Sequence, residues 1–367
     1  MALQCGIVGL PNVGKSTIFN ALTRSHGAEA ANYPFCTIDP NVGVVEVPDE
    51  RFDYLVETIH PKSAVPATVE FVDIAGLVKG ASNNEGLGNK FLSHIRNVDA
   101  ILHVVRAFED ENVIHVAGEL DPVRDVEIIE LELILADLEI VENRMNSNLK
   151  RVKSQDKEAI KLKEVLDKVF DTLKEGKMAT ATGLDDKEKI LIKDLSLITL
   201  KPFIYLANIE ESIIDNPEKS RHYTALLQYA RKNSQTVIPL SGKIESELSV
   251  LSDEEEEEFL GSLGMKEPGL NVVIRAAYSL LGYYTFFTAG EKEVRAWTVT
   301  KGATAPEAAG VIHSDFQKGF IRAEVIAFED IRTYGSDKKA QEKGKMRLEG
   351  KEYVMQDGDV VYFRFNV

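Results

Sequence analysis

Eight residues near the amino end, Gly9-Leu10-Pro11-Asn12-Val13-Gly14-Lys15-Ser16, leave few folds open to this chain. They match the phosphate-loop pattern G-x-x-x-x-G-K-[ST] in full. The pattern works only between a strand and a helix. Gln4 to Val8 reads as that strand and Thr17 to Thr23 as that helix. Gly9 and Gly14 let the backbone curl around an anion without side-chain clashes. The N–H groups from Asn12 to Thr17 and the helix start then face the phosphates. Lys15 is expected at the β- and γ-phosphates and the Ser16 hydroxyl on Mg²⁺.

Further motifs depend on that loop. Asp73-Ile74-Ala75-Gly76 ends a strand-like run, Thr68 to Val72, and places a carboxylate for the metal and the Gly76 N–H for a γ-phosphate. Thr37 falls where a switch threonine would bind both. Leu77 occupies the position where many GTPases carry a glutamine that orients water, so unaided hydrolysis is expected to be slow. A guanine reader uses Asn-Lys-x-Asp, whose carboxylate accepts from N1–H and the 2-amino group. Here Asn208-Ile209-Glu210-Glu211 follows the strand Phe203 to Ala207. Adenine has neither donor and gains nothing from a carboxylate there. The change weakens the case for GTP and permits ATP. Ser241-Gly242-Lys243 follows the strand Thr236 to Leu240 and is expected to give backbone contacts to the base.

Strands alternating with helices predict a parallel, doubly wound α/β sheet. Into it is set a charged helical stretch, Pro122 to Lys153, with Ile128, Leu131, Leu135, Leu138, Met145 and Leu149 as its apolar stripe. About 30 such residues span roughly 45 Å. A second run, Asp156 to Leu173, carries Ile160, Leu166, Val169 and Leu173, and the two predict a hairpin that is either a spacer or a partner-binding arm. Ser252-Asp253-Glu254-Glu255 predicts a capping box rather than a metal site. From Tyr284 a small α+β domain is expected, with strands at Val294–Val299, Ile321–Ala327, Glu352–Met355 and Val360–Phe365. Gln356-Asp357-Gly358-Asp359 is the turn between the last two.

With 367 residues, 44% of them hydrophobic, the chain can build two or three cores. Two cysteines exclude a disulfide scaffold and a four-cysteine zinc site. A net charge of −16 excludes general coating of nucleic acid, so RNA contact needs a local patch. Lys338, Lys339, Lys343, Lys345, Arg347 and Lys351 form one, and Lys150, Arg151 and Lys153 another at the hairpin tip. No apolar run reaches the roughly 20 residues of a membrane span. The chain enters its first strand at once, leaving no room for a signal peptide. A soluble cytoplasmic protein is expected.

Together these motifs resemble the Obg-like ATPase family, the YchF proteins. The likeness extends over Asn32-Tyr33-Pro34-Phe35-Cys36-Thr37, Asp73 to Ser82, Glu85-Gly86-Leu87-Gly88, Phe287-Thr288-Ala289-Gly290 and Glu293-Val294-Arg295-Ala296-Trp297. The resemblance implies a G domain at 1–121 and 201–283, an inserted helical hairpin at 122–200, and a C-terminal TGS domain of β-grasp type at 284–367. It implies preference for ATP over GTP, with Asn208 near adenine. It also implies a ribosome partner, the large subunit first, with rRNA or tRNA contact, and roles in translation and stress. His115 resembles the family histidine proposed for catalysis; a structural histidine is the alternative. Asn12 fits the pattern of K⁺-dependent relatives. A GTPase of the Obg type and a binding scaffold with incidental turnover stay open beside the ATPase.

Overall fold

The computed structural model describes residues 4–25, 41–74, 87–109 and 119–366. The strands, in chain order, are β1 Gln4–Val8, β2 Val42–Glu46, β3 Ala64–Val65, β4 Thr68–Asp73, β5 Ala100–Arg106, β6 Phe203–Asn208, β7 Thr236–Leu240, β8 Tyr283–Ala289, β9 Val294–Thr300, β10 Phe320–Ala327, β11 Arg347–Glu349 and β12 Asp359–Phe365. The described chain forms two compact units. Residues 4–25, 41–43, 70–74, 87–109 and 119–270 make the first, and residues 44–69 and 271–366 make the second.

The first unit is built on a sheet of order β2-β4-β1-β5-β6-β7. β4, β1, β5, β6 and β7 run parallel. All seven residues of β5 and all six of β6 are buried, as expected of strands covered on both faces. His103 lies among them, 1% exposed, its pKa pushed down to about 3 by burial; it is a neutral core residue. The parallel pairing aligns the carboxyl ends of these five strands on one edge, where open α/β sheets hold their ligands.

The helix Pro122–Lys153 starts as its sequence dictates. Asp121 caps it by accepting from Arg124 N–H at 3.1 Å, and Pro122 fills a position that needs no donor. Gln155, at φ 61°, reverses the chain. Asp156 then caps the helix Lys157–Lys174, which folds back on the first helix around Leu162, Leu166, Val169 and Leu173. The expected stripe on the first helix is corrected, however: Leu131, Leu135 and Leu149 are 53%, 44% and 44% exposed. The buried line runs through Val126, Ile129, Leu133, Asp137, Val141 and Asn148. Two of its members are polar and satisfied. Asp137 accepts from Arg96 (3.1 Å) and from the N–H and hydroxyl of Thr199 (2.7 Å each), and Asn148 donates to Ala159 O at 2.7 Å.

The second unit is a mixed sheet of order β11-β10-β12-β8-β9-β3. Helix Ala305–Ile312 packs on it over Phe286, Val299, Phe320, Val325 and Val361. Residues 44–69 contribute β3, parallel to β9, and the helix Glu50–Ile59. Arg51 binds Asp49 and Asp357 at 2.8 Å each, and Asp357 accepts from Thr285 N–H at 2.8 Å. Gln356 to Asp359 turns as expected, with Gly358 at φ 87°. The expected strand Glu352–Met355 is reduced to a single bridge, Val354 to Thr304. Thr304 already caps the helix that begins at Ala305, so the ladder has no partner strand along which to grow. The capping box at Ser252 and Glu255 is present. No helix among the described residues is long and apolar enough to cross a membrane.

Candidate functional site

A cavity of about 1180 Å³ lies among the segments that follow β1, β4, β5, β6 and β7. Its first end is made by the loop Gly9–Ser16. Asn12 (φ 64°) and Gly14 (φ 94°) hold left-handed backbone, so the loop arches and leads into the helix Lys15–Ser25. A Cβ on Gly14 would collide with Asn208 Nδ2, so this position needs glycine twice over. Gly9 is required for another reason: a Cβ there would lie 2.7 Å from Val104 O of β5. Lys15 Nζ contacts Asp73 Oδ1, and both side chains are largely shielded, at 10% and 20% exposure. Ser16 and Thr17 line the cavity beside them.

Asn208, the last residue of β6, joins three segments. Its Nδ2 donates to Val13 O and its Oδ1 accepts from Gly242 N–H, both at 2.9 Å. Its own carbonyl accepts from Ala107 N–H at 2.8 Å. The amide is thus committed to holding the phosphate loop against the β5 and β7 ends. Gly242 N–H is spent on that bond, and the Ser241 hydroxyl caps its own helix, Gly242–Leu248.

The other end is made of side chains. Ile209 is 2% exposed and packs with Val105, Ala107 and Tyr205. Glu211 accepts from Lys243 Nζ at 2.8 Å, which raises the lysine's pKa. Glu109 accepts from Arg221 (3.2 Å), is bonded to His222 Nε2 (3.1 Å), and is held below the usual carboxylate range by them. Its N–H donates to Glu210 Oε1 at 3.2 Å. Under this end Glu245 is buried at 1% exposure and accepts from Gly269 N–H (2.9 Å) and Leu270 N–H (3.3 Å). Burial pushes its pKa up to about 7.

Of the residues expected from the sequence, the cavity gathers Asn12, Gly14, Lys15, Ser16, Thr17, Asp73, Asn208, Ile209, Glu211, Ser241 and Gly242. Val13 is buried beneath it and supplies its carbonyl to Asn208. Thr37, Gly76, Leu77 and His115 lie outside the described residues. Sequence reasoning missed Phe108, Glu109, Ser212, Ser246 and Glu247. Phe108 and Glu109 were within reach, because they directly follow a strand whose carboxyl end faces the ligand edge. Among the described residues no group of three or more His, Cys, Asp or Glu is placed to hold a metal. One hydroxyl and one carboxylate, Ser16 and Asp73, suit Mg²⁺, a hard cation that keeps waters and phosphate oxygens as its remaining ligands.

The chain is similar to characterised proteins over its whole length. The family described as "50S ribosome-binding GTPase" matches residues 4–141. The family YchF-GTPase_C, described as "Protein of unknown function (DUF933)", matches residues 283–366. The protein named "Ribosome-binding ATPase YchF" from Bacillus subtilis (strain 168) is 56% identical, covering 100% of both chains. Its namesake from Haemophilus influenzae is 55% identical over the same full span. The solved structure titled "Structure of the Schizosaccharomyces pombe YchF GTPase" superposes with a TM-score of 0.88 at 41% identity, covering 99% of this chain and 98% of that one.

Proposed function

The chain belongs to the YchF family of P-loop nucleoside triphosphatases, and on that premise we propose that it is an ATP-hydrolysing switch that binds the ribosome. The observation that carries the choice of base is the state of the Asn208–Glu211 segment. Asn208 is committed to the loops, Ile209 is buried, and Glu211 is held by Lys243. No carboxylate of this segment is left unpaired to accept from guanine N1–H and its 2-amino group. Relatives at 53–56% identity carry the name ATPase, which supports the same reading.

Lys15 does the central electrostatic work. In the structure it and Asp73 satisfy each other. A triphosphate would draw the ammonium to the β- and γ-phosphates and release the carboxylate. Ser16, Thr37 and Asp73 are the residues we assign to hold Mg²⁺, which when bound neutralises phosphate charge. Gly76 reads the γ-phosphate and His115 is our candidate for positioning water, with Leu77 keeping unaided turnover slow. Asn12 is our candidate for a K⁺ that assists. We assign nucleotide chemistry to 1–121 and 201–283, the arm to 122–200 and the TGS domain to 284–367, with residues 44–69 lending β3 to the latter's sheet.

For the ribosome, and its rRNA or a tRNA, we assign the two basic clusters. Lys338, Lys339, Lys343 and Lys351 are exposed. Lys345 and Arg347 are partly neutralised by Asp330 and Asp359, and Arg151 by Asp156. The large subunit is the proposed platform, in the cytoplasm. One observation favours a GTPase instead: Glu211 is only ion-paired at the surface, and such pairs open readily. Parallel titrations with ATP and GTP, and hydrolysis with and without ribosomes and K⁺, decide between them. GTP affinity well above that for ATP would sink the ATP reading.

A further inference from the structure

The helix Pro122–Lys153 carries an apolar row that its own hairpin leaves open. Val126, Ile129 and Leu133 are fully buried within the first unit. Ile128, Leu131, Leu135 and Leu138 follow one another at steps of three, four and three, so they share the opposite face. Leu131 and Leu135 are 53% and 44% exposed, Ile128 is half-buried, and Leu138 runs into the hairpin core. Such a row, at i, i+3 and i+7, is the spacing with which one amphipathic helix seats on another. An exposed apolar strip rimmed by polar residues marks a surface that binds protein.

The charge around the row says what kind of helix fits. From Asp125 to Asn143 the chain carries seven acidic residues and no Lys, Arg or His. Three of the acids turn to the core. Asp125 is 2% exposed, Glu130 accepts from the hydroxyls of Tyr205 and Tyr229, and Asp137 accepts from Arg96 and Thr199. Glu127, Glu139 and Glu142 are exposed beside the row, and none of the three makes an ion pair among the described residues. Past Asn143 the sign reverses, with Arg144, Lys150, Arg151 and Lys153. An apolar ridge with acidic margins repels RNA phosphate. Against a second copy of itself it would set carboxylate on carboxylate. It fits a helix that is apolar along one face and carries lysine or arginine at the margins. Proteins that sit on rRNA need that charge to neutralise phosphate.

We propose that Ile128, Leu131 and Leu135 dock the arm on a basic amphipathic helix of a large-subunit ribosomal protein. The proposal rests on the ribosome reading and deepens it: the acidic stretch seats on protein, and the basic tip is left for RNA. Co-sedimentation with purified large subunits tests it. Leu131→Gln together with Leu135→Gln keeps the helix and removes the row. The double variant should bind subunits about tenfold more weakly, with ATP affinity unchanged. Glu127→Gln together with Glu139→Gln should cost less and flatten the dependence on salt. A photoreactive benzoylphenylalanine in place of Leu131 should cross-link to a ribosomal protein, within a segment rich in lysine and arginine. Cross-linking of the bound chain to rRNA, to a second copy or to nothing would overturn the proposal, as would unchanged binding by the leucine variant. Wild-type protein that does not sediment with the subunits at all would fail the ribosome reading itself, and the proposal with it.

Discussion

The two ends of one cavity are built on opposite principles. The phosphate end is backbone, two left-handed residues and a shielded Lys15–Asp73 pair. The base end is a rim of side chains in which Glu109, Glu211 and Lys243 are 63%, 47% and 66% exposed. Shielded charge and fixed amides bind strongly and tolerate little change. Exposed ion pairs are worth little and rearrange. On the proposed reading, affinity is set at one end of the cavity and base preference at the other. A family can therefore drift from one base to another while its phosphate loop stays intact.

The largest effect is expected at the phosphate end. Lys15→Ala leaves Asp73 without its partner and the phosphates without their cation. Nucleotide affinity should fall by about 3–5 kcal/mol, roughly two to four orders of magnitude, for ATP and GTP alike. Calorimetric titration would show it, and wild-type affinity in the variant would erase the distinction between the ends.

Beneath the base end, Glu245 makes a prediction in pH. Its folded pKa stands near 7 against 4.5 for the ordinary side chain. The folded state therefore binds more protons than the unfolded one, and stability should fall as pH rises from about 4.5 to 7, then level off. A shift of that size amounts to about 3 kcal/mol. Glu245→Gln keeps one acceptor for Gly269 and Leu270 and removes the titration. The difference between wild type and variant in denaturant midpoints should grow across that window. Parallel curves would mean that folding leaves the carboxyl's pKa where it is in the unfolded chain.

The same contrast explains what could be read from the chain alone. The phosphate loop was legible because its chemistry is contiguous: eight residues carry the glycines, the lysine and the hydroxyl. The helix Pro122–Lys153 was legible in its extent, as one long charged helical stretch. Its buried face was not. That line passes through Asp137 and Asn148, and a search for apolar residues slides onto the neighbouring line of Ile128, Leu131 and Leu135. Only partners distant in sequence, Arg96 and Thr199 for Asp137, make the polar positions buriable. β2 and β3 were missed for the same reason. The two residues of β3 have no pattern of their own and exist as a strand only because β9 pairs with them.

Asn208 links the two ends, so its removal should blur them. Asn208→Ala strands a donor on Gly242 and an acceptor on Val13, both in buried surroundings. A loss of about 2 kcal/mol, roughly thirtyfold in affinity, is expected. It should be felt by tripolyphosphate as well as by ATP, because the bond to Val13 holds the phosphate loop. Loss confined to ATP would place the residue on the base rather than between the loops.

The smallest effect should come from Lys243. In the structure this lysine occupies the Glu211 carboxylate, the group that stands where a guanine reader keeps its aspartate. Lys243→Met frees that carboxylate without changing the backbone that carries it. Both partners are exposed, so the pair is worth little, and ATP affinity should barely move. What should move is the ratio: GTP should gain on ATP by no more than about fivefold, the limit set by a surface ion pair. High salt should reproduce part of the gain in wild-type protein, because screening loosens the same contact. If the ratio stays fixed in the variant and across salt, Glu211 is too long or wrongly aimed to reach a purine at all. Base choice would then rest on the shape of the wall, and the soft end of the cavity would be selective through geometry rather than charge.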